Sequence, residues 1–210
     1  MARTRELEQA TKDRLNQAVE AVESCSSAEV VVAVRGHAGS YGAVGPVLGS
    51  GLAYLSLLYM LFAPQEFGLV WMAAIVPLAF VLGWILVRVF PALSVACTRS
   101  ATVDQAVKRA AQATFVDLGV SATQGRTGVL IYIACRERKV HVVADLGVVA
   151  KVPKDAWKAA LAGIESLSPT RKFDPESAAR TAVAIEGLSE ILGEFLPRAD
   201  DDIDELKGVQ

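Results

Sequence analysis

Charge is what a long stretch of this chain lacks. Between Arg35 and Arg88 the only charged side chain is Glu66, although Asp, Glu, Lys and Arg make up 21% of the 210 residues. A soluble domain needs charged and polar groups over its whole surface, so one continuous soluble fold is excluded for that quarter of the chain. Cysteine is scarce as well: Cys25, Cys97 and Cys135 are odd in number, far apart and in no Cys-x-x-Cys pair. That excludes a disulfide framework and a structural zinc site, and suits a reducing compartment. The two histidines, His37 and His141, are too few and too scattered to predict a histidine metal centre. With 21 Lys and Arg against 23 Asp and Glu, the chain has no overall positive field to hold a nucleic acid. Walker A, GxGxxG and GxSxG sequences are missing; Gly39-Ser40-Tyr41-Gly42 is not a nucleophile elbow. Six residues after Cys135, where a cysteine-phosphatase loop needs arginine, stands His141. The charged N-terminus lacks an apolar core segment, which predicts no secretory signal peptide.

The charge-free stretch holds two apolar runs, Pro46 to Ala63 and Phe67 to Val87, of 18 and 21 residues. As helices they would extend about 27 and 31 Å, against a hydrocarbon core of about 30 Å. Only Pro64-Gln65-Glu66 separates them, so a transmembrane helical hairpin is predicted, with the flanking parts on one side of the bilayer. Tyr59, Phe62, Phe67 and Trp71 gather near the reversal and Trp84 and Phe90 at the other end, as in interfacial aromatic belts. Gly45 and Gly49, and Ala79 and Gly83, have the small-xxx-small spacing that lets membrane helices approach closely. Pro77 predicts a kink. Arg35, Arg88 and Arg99 flank the hairpin and no basic residue lies in its turn, which predicts cytoplasmic termini.

Outside the hairpin the periodicity changes. Leu7, Ala10, Leu15, Ala18, Val19 and Val22, with Thr11 as one polar member, mark an amphipathic helix over residues 5–25. Glu29 to Val34 is a β-branched strand. A second amphipathic helix is predicted from Thr102 to Leu118, with Val103, Ala106, Val107, Ala110, Ala113 and Phe115 apolar and Gly119 as its stop. Gly128–Ala134 and Lys139–Ala144 read as an antiparallel strand pair around a charged tip, Arg136-Glu137-Arg138. Helices are predicted after Val152-Pro153 to about Ser166, and from Pro175, capped by Asp174, to about Leu196. A strand-helix-strand crossover plus one antiparallel strand gives a small mixed sheet covered by helices, an α/β fold. Residues 1–45 and 91–196 are then one discontinuous domain, 46–90 a membrane insertion within its crossover, and 197–210 an acidic tail.

The segment Arg126–Ala134, followed by Glu137–Gly147, Val152-Pro153 and Trp157, resembles the TPM domain family. The likeness extends to Ala113–Gly119, to Ser27–Val32 and to the tail Leu196–Leu206, which is similar to the ending of bacterial membrane-anchored TPM proteins. The resemblance implies a three-layer αβα sandwich, here interrupted by the two-helix transmembrane hairpin, and a bacterial inner-membrane location. It also implies divalent-cation binding and acid phosphatase activity, both attributed to some relatives.

Carboxylates that could hold a cation are Asp145, at a strand end before Gly147, with Asp117 near a helix end and Glu29 at a strand start. Each also reads as an ordinary turn, helix-surface or strand-edge acid. Arg126, before Thr127-Gly128, could bind phosphate, or simply open a tight turn. Asp200–Glu205 lacks the spacing of a calcium loop and reads as a solvated acidic run. The Arg136–Lys139 tip reads as a solvated hairpin end or a lipid-binding basic patch. The first functional expectation is an accessory or scaffolding module, held in the lipid bilayer among other membrane proteins. The alternative is a phosphatase in which Glu29, Asp117 and Asp145 hold Ca2+ or Mg2+.

Overall fold

The computed structural model describes residues 2–123, 125–170, 172–198, 206, 208 and 209, with side chains from Gln9 onward. The chain divides into two compact units, residues 1–38 with 104–210, and residues 39–103.

The first unit is mixed α/β around a small three-stranded mixed sheet. Strand β1 (Glu29–Arg35) pairs in parallel with β2 (Gly128–Ala134), and β2 pairs antiparallel with β3 (Lys139–Ala144). The strand bounds of β2 and β3 are those the sequence predicts, because their β-branched runs end at polar turns. All seven residues of β2 are buried, so both its faces are covered. Alternation sends Val30, Val32, Val129, Ile131 and Ile133 into one cluster and Val31, Ala33, Leu130, Tyr132 and Ala134 into another. Helix α1 (Ala2–Glu23) adds Leu15, Ala18, Val19 and Val22 to the first cluster. The second receives Val107, Ala111 and Phe115 of a helix spanning Ser100–Asp117.

The helix faces differ slightly from expectation. On α1 the buried line runs through Thr11, Leu15, Ala18 and Val22, leaving Ala10 exposed. On the Ser100–Asp117 helix Ala111 is buried and Ala113 exposed, since steps of three and four from Val107 pass through 111. Gly119 stops that helix in the left-handed conformation, φ 70°.

In the second unit helices α2 (Val44–Phe62) and α3 (Leu69–Val89) pack along one another. Each is long and apolar enough to cross a membrane, and only 17% and 11% of their apolar windows are buried. The buried residues are three glycines, Gly45, Gly49 and Gly83, together with Met60 and Val87. A methyl group on Gly83 would lie 2.7 Å from the Gly49 Cα, so the backbones touch where no side chain intervenes. Arg88 lies with its guanidinium 5.3 Å from the Trp84 ring centroid, a cation–π contact. Helix α4 (Pro91–Ala96) follows, opened by its proline, and α5 (Ser100–Asp117) carries the chain back into the first unit.

Beyond the sheet come α6 (Leu146–Lys151), α7 (Lys154–Glu165), α8 (Pro175–Glu186) and α9 (Leu188–Phe195). The single long helix expected from Pro175 is thus interrupted at Gly187, and Leu188 and Leu192 of α9 still reach the core. Asp174 caps α8, accepting the Ser177 N–H at 2.9 Å as its position predicts.

Candidate functional site

Register alone brings two of the three predicted carboxylates to one end of the sheet. Glu29 stands beside Gly128 in the parallel pair. On the other side of Gly128, Asp145 follows β3, and its N–H donates to the Gly128 carbonyl at 2.9 Å. Helix α5 returns the chain from the carboxyl end of β1 to the start of β2, and Asp117 is its last residue. Glu29 and Asp145 are buried, at 6% and 4% exposure, whereas Asp117 is exposed.

The Asp145 carboxylate is already occupied by the protein's own donors. It caps α6 by accepting the Leu146 N–H at 2.6 Å. The Arg126 guanidinium grips it as a fork, Nη2 to Oδ1 at 3.1 Å and Nε to Oδ2 at 3.3 Å. Arg126 sits in the left-handed region, φ 51°, which costs a non-glycine residue on the order of 1–2 kcal/mol. Its backbone is held on both sides: its N–H donates to the Thr123 carbonyl at 3.0 Å, and its carbonyl accepts the Gly147 N–H at 2.9 Å. Any side chain at Gly147 would collide with the Gly125 and Arg126 carbonyls, which explains the glycine there. Gly128 is required in the same way by the Val120 carbonyl.

Both buried acids accept bonds from the protein's own donors. A cation at Asp145 would have to displace the guanidinium, and Glu29 is turned towards the Leu206 N–H, which it accepts at 3.3 Å. Among the described residues no three His, Cys, Asp or Glu side chains are grouped as a metal ion requires. Arg126 is a surface cation, its side chain 55% exposed, anchored by a buried carboxylate. The Asp200–Glu205 run lies outside the described residues, as does most of the predicted 197–210 tail. The described part of that tail is docked: the Val32 N–H donates to the Gly208 carbonyl at 2.7 Å, and Val32 pairs in parallel with Val209, along the outer edge of β1. The sequence shows an acidic run there and gives no strand signal.

The opposite end of the sheet holds Cys135 and the charged tip that the sequence marks. The Cys135 and Arg136 N–H groups donate to the Arg35 and Gly36 carbonyls at 3.0 and 3.1 Å, extending the β1–β2 ladder. Glu137, next along the tip, is buried at 5% exposure, and its Oε1 accepts the Ala38 N–H at 3.1 Å. Burial, then the Glu137 charge, pushes the Cys135 thiol above its ordinary value. Cys135 is therefore kept as a thiol and is a poor nucleophile. Burial raises Tyr132 likewise, with Glu137 adding and Arg35 opposing. His141 pairs with Glu165 through Nδ1 at 2.8 Å.

The second unit contains a groove of about 610 Å³ with Tyr41, Val44, Leu48, Leu52, Cys97 and Thr98 among its lining residues. Its lining is mostly apolar, with no charged side chain.

No family model and no curated protein matches the chain. It is similar to a solved structure, the NMR structure of the BA42 protein from the psychrophilic bacterium Bizionia argentinensis. The two share 16% identity and a TM-score of 0.49 over 94% of this chain and 93% of that one.

Proposed function

We propose that the chain is a multi-pass protein of the bacterial inner membrane, whose cytoplasmic TPM-like domain, a three-layer αβα sandwich, serves as an accessory or scaffolding module for other membrane components. The observation that carries this reading is the placement of α2 and α3. A pair of apolar helices of membrane length, with Arg88 in the last turn of α3 as their one charged residue, enters the chain between two strands, β1 and β2, that lie side by side in one sheet. An anchor spliced into a domain in this way would join it to the bilayer by two connections. The buried acids at the sheet end are satisfied within the protein, which favours a structural module over a hydrolase. The TPM assignment rests on the sequence likeness of residues 126–157.

Two experiments test the reading. A reporter fused after Gln210 should be active on the cytoplasmic side; a periplasmic signal reverses the orientation. Purification from native membranes in mild detergent should yield a stoichiometric membrane-protein partner. Recovery of the chain alone, at every detergent tried, overturns the scaffolding role.

A further inference from the structure

We propose that the β2–β3 tip, with Arg35 beside it, is a docking surface for the headgroups of anionic lipids. This rests on the membrane reading above and adds to it a partner for one end of the sheet. The sequence of the tip, Arg136-Glu137-Arg138-Lys139, reads as mixed charge, but the structure removes the acid from the surface. Glu137 folds inward to take the Ala38 N–H, leaving Arg138 exposed and Arg136 and Lys139 half-buried as the basic groups of the turn, with the Arg138 Nε donating to the Pro169 carbonyl at 3.4 Å. Arg138 adopts the left-handed conformation that closes the turn, φ 55°, and is exposed. Arg35, exposed at the end of β1, is tied to the tip because its carbonyl accepts the Cys135 N–H. Asp104 pairs with Lys139 and offsets one of these four cations, so a net positive surface remains.

The same hydrogen bond sets where that surface can be. Glu137 pins the tip to Ala38, and α2 begins at Val44, six residues on. Six extended residues reach about 20 Å at most, a connection short enough for the tip to meet the surface that α2 would enter. On the cytoplasmic side that interface carries anionic lipid, and its field falls off within a Debye length, about 10 Å at 0.1 M salt. A soluble polyanion is a poorer candidate, because the chain as a whole carries a net charge of -2. A bilayer touching the tip would meet only its basic end.

The test uses the full chain in nanodiscs of phosphatidylcholine alone and of phosphatidylcholine with a quarter phosphatidylglycerol. Amide hydrogen exchange is followed over residues 135–139, with α8 as internal reference. Each basic group near an anionic surface contributes about a fivefold bias, so exchange at the tip should slow by about fivefold or more with phosphatidylglycerol and recover at high salt. Arg136→Gln with Arg138→Gln should abolish the slowing, and the Lys pair of substitutions should retain it. Identical exchange in both lipids, or slowing that persists in the Gln variant, overturns the lipid surface. Flotation with neutral vesicles after carbonate washing is measured alongside. A chain that floats but shows no lipid-dependent exchange loses only this proposal, whereas a chain that does not float loses the anchor and the proposal together.

Discussion

Leu130 and Leu69 carry the same side chain in opposite surroundings, 0% exposed in the middle of β2 and 83% exposed at the start of α3. The contrast runs through both units. In the first, large apolar residues fill two clusters and the charged groups lie outside them. In the second, Phe62, Val70 and Trp71 face outward while glycines occupy the contact between helices. On the membrane reading proposed above, each unit follows the rule of its solvent. Water expels apolar surface, so the α/β unit puts its bulk inside; lipid does not, so α2 and α3 gain most by close backbone packing.

If the comparison is sound, equal truncations should have unequal costs. Ile131→Ala empties a fully buried site and should destabilise the α/β unit by about 2–5 kcal/mol. Leu82→Ala, on an exposed face of α3, should shift stability in detergent by less than about 0.5 kcal/mol. Thermal unfolding followed by proteolysis of each unit measures both, and similar losses would break the contrast. The reverse swap comes next. Gly83→Leu inserts bulk between touching backbones and should cost about 1–3 kcal/mol, read as a lower midpoint for the hairpin unit with the α/β unit unchanged.

Asp145→Ala sharpens the comparison within the first unit. Removing a buried carboxylate leaves the Leu146 N–H uncapped and Arg126 without its fork partner, and should cost about 1–3 kcal/mol. Titration calorimetry of the wild-type protein with Ca2+ and Mg2+ should give no heat that disappears in Asp145→Ala. Such a heat would restore the cation reading for that acid. The smallest effect is expected at Asp174. Hydrogen bonds from Ser177, its backbone N–H first, hold the Asp174 carboxyl below its ordinary value of 3.8. A depressed folded-state value stabilises fully above the unfolded one and loses that contribution as pH falls through the folded value. Unfolding midpoints of wild type and Asp174→Asn should therefore converge as the pH drops below 3.8. A gap that widens on acidification would contradict the assignment.

Much of the fold is legible in the sequence because it is written in local patterns. Strands β2 and β3 are continuous β-branched runs bounded by turns. The hairpin is visible as missing charge, although α2 begins at Val44 and α3 at Leu69, about two residues from the predicted bounds of each, since helix ends depend on backbone bonds that hydropathy does not record. Short α4 and α6 escape because a six-residue helix shows less than two turns of periodicity. The site was less legible. Glu29 and Asp145 share a row only through strand register, which joins residues more than a hundred apart. The fork from Arg126 depends on a positive φ, and the inward turn of Glu137 on an amide donor at Ala38, and neither leaves a mark in residue order.

The pairing of β1 also has a meaning in time. Val32 meets Ile131 on one side, about a hundred residues later in the chain, and Gly208 and Val209 on the other. During synthesis β1 emerges first, and both its neighbours are made after α2 and α3. On the proposed topology, the hairpin therefore leaves the ribosome and enters the bilayer while the sheet is still unassembled. The nascent strand, rich in valine and open along both edges, is the segment most exposed to wrong pairing in that interval. On the proposed topology, a pause or defect in insertion should be felt first as misfolding of the α/β domain.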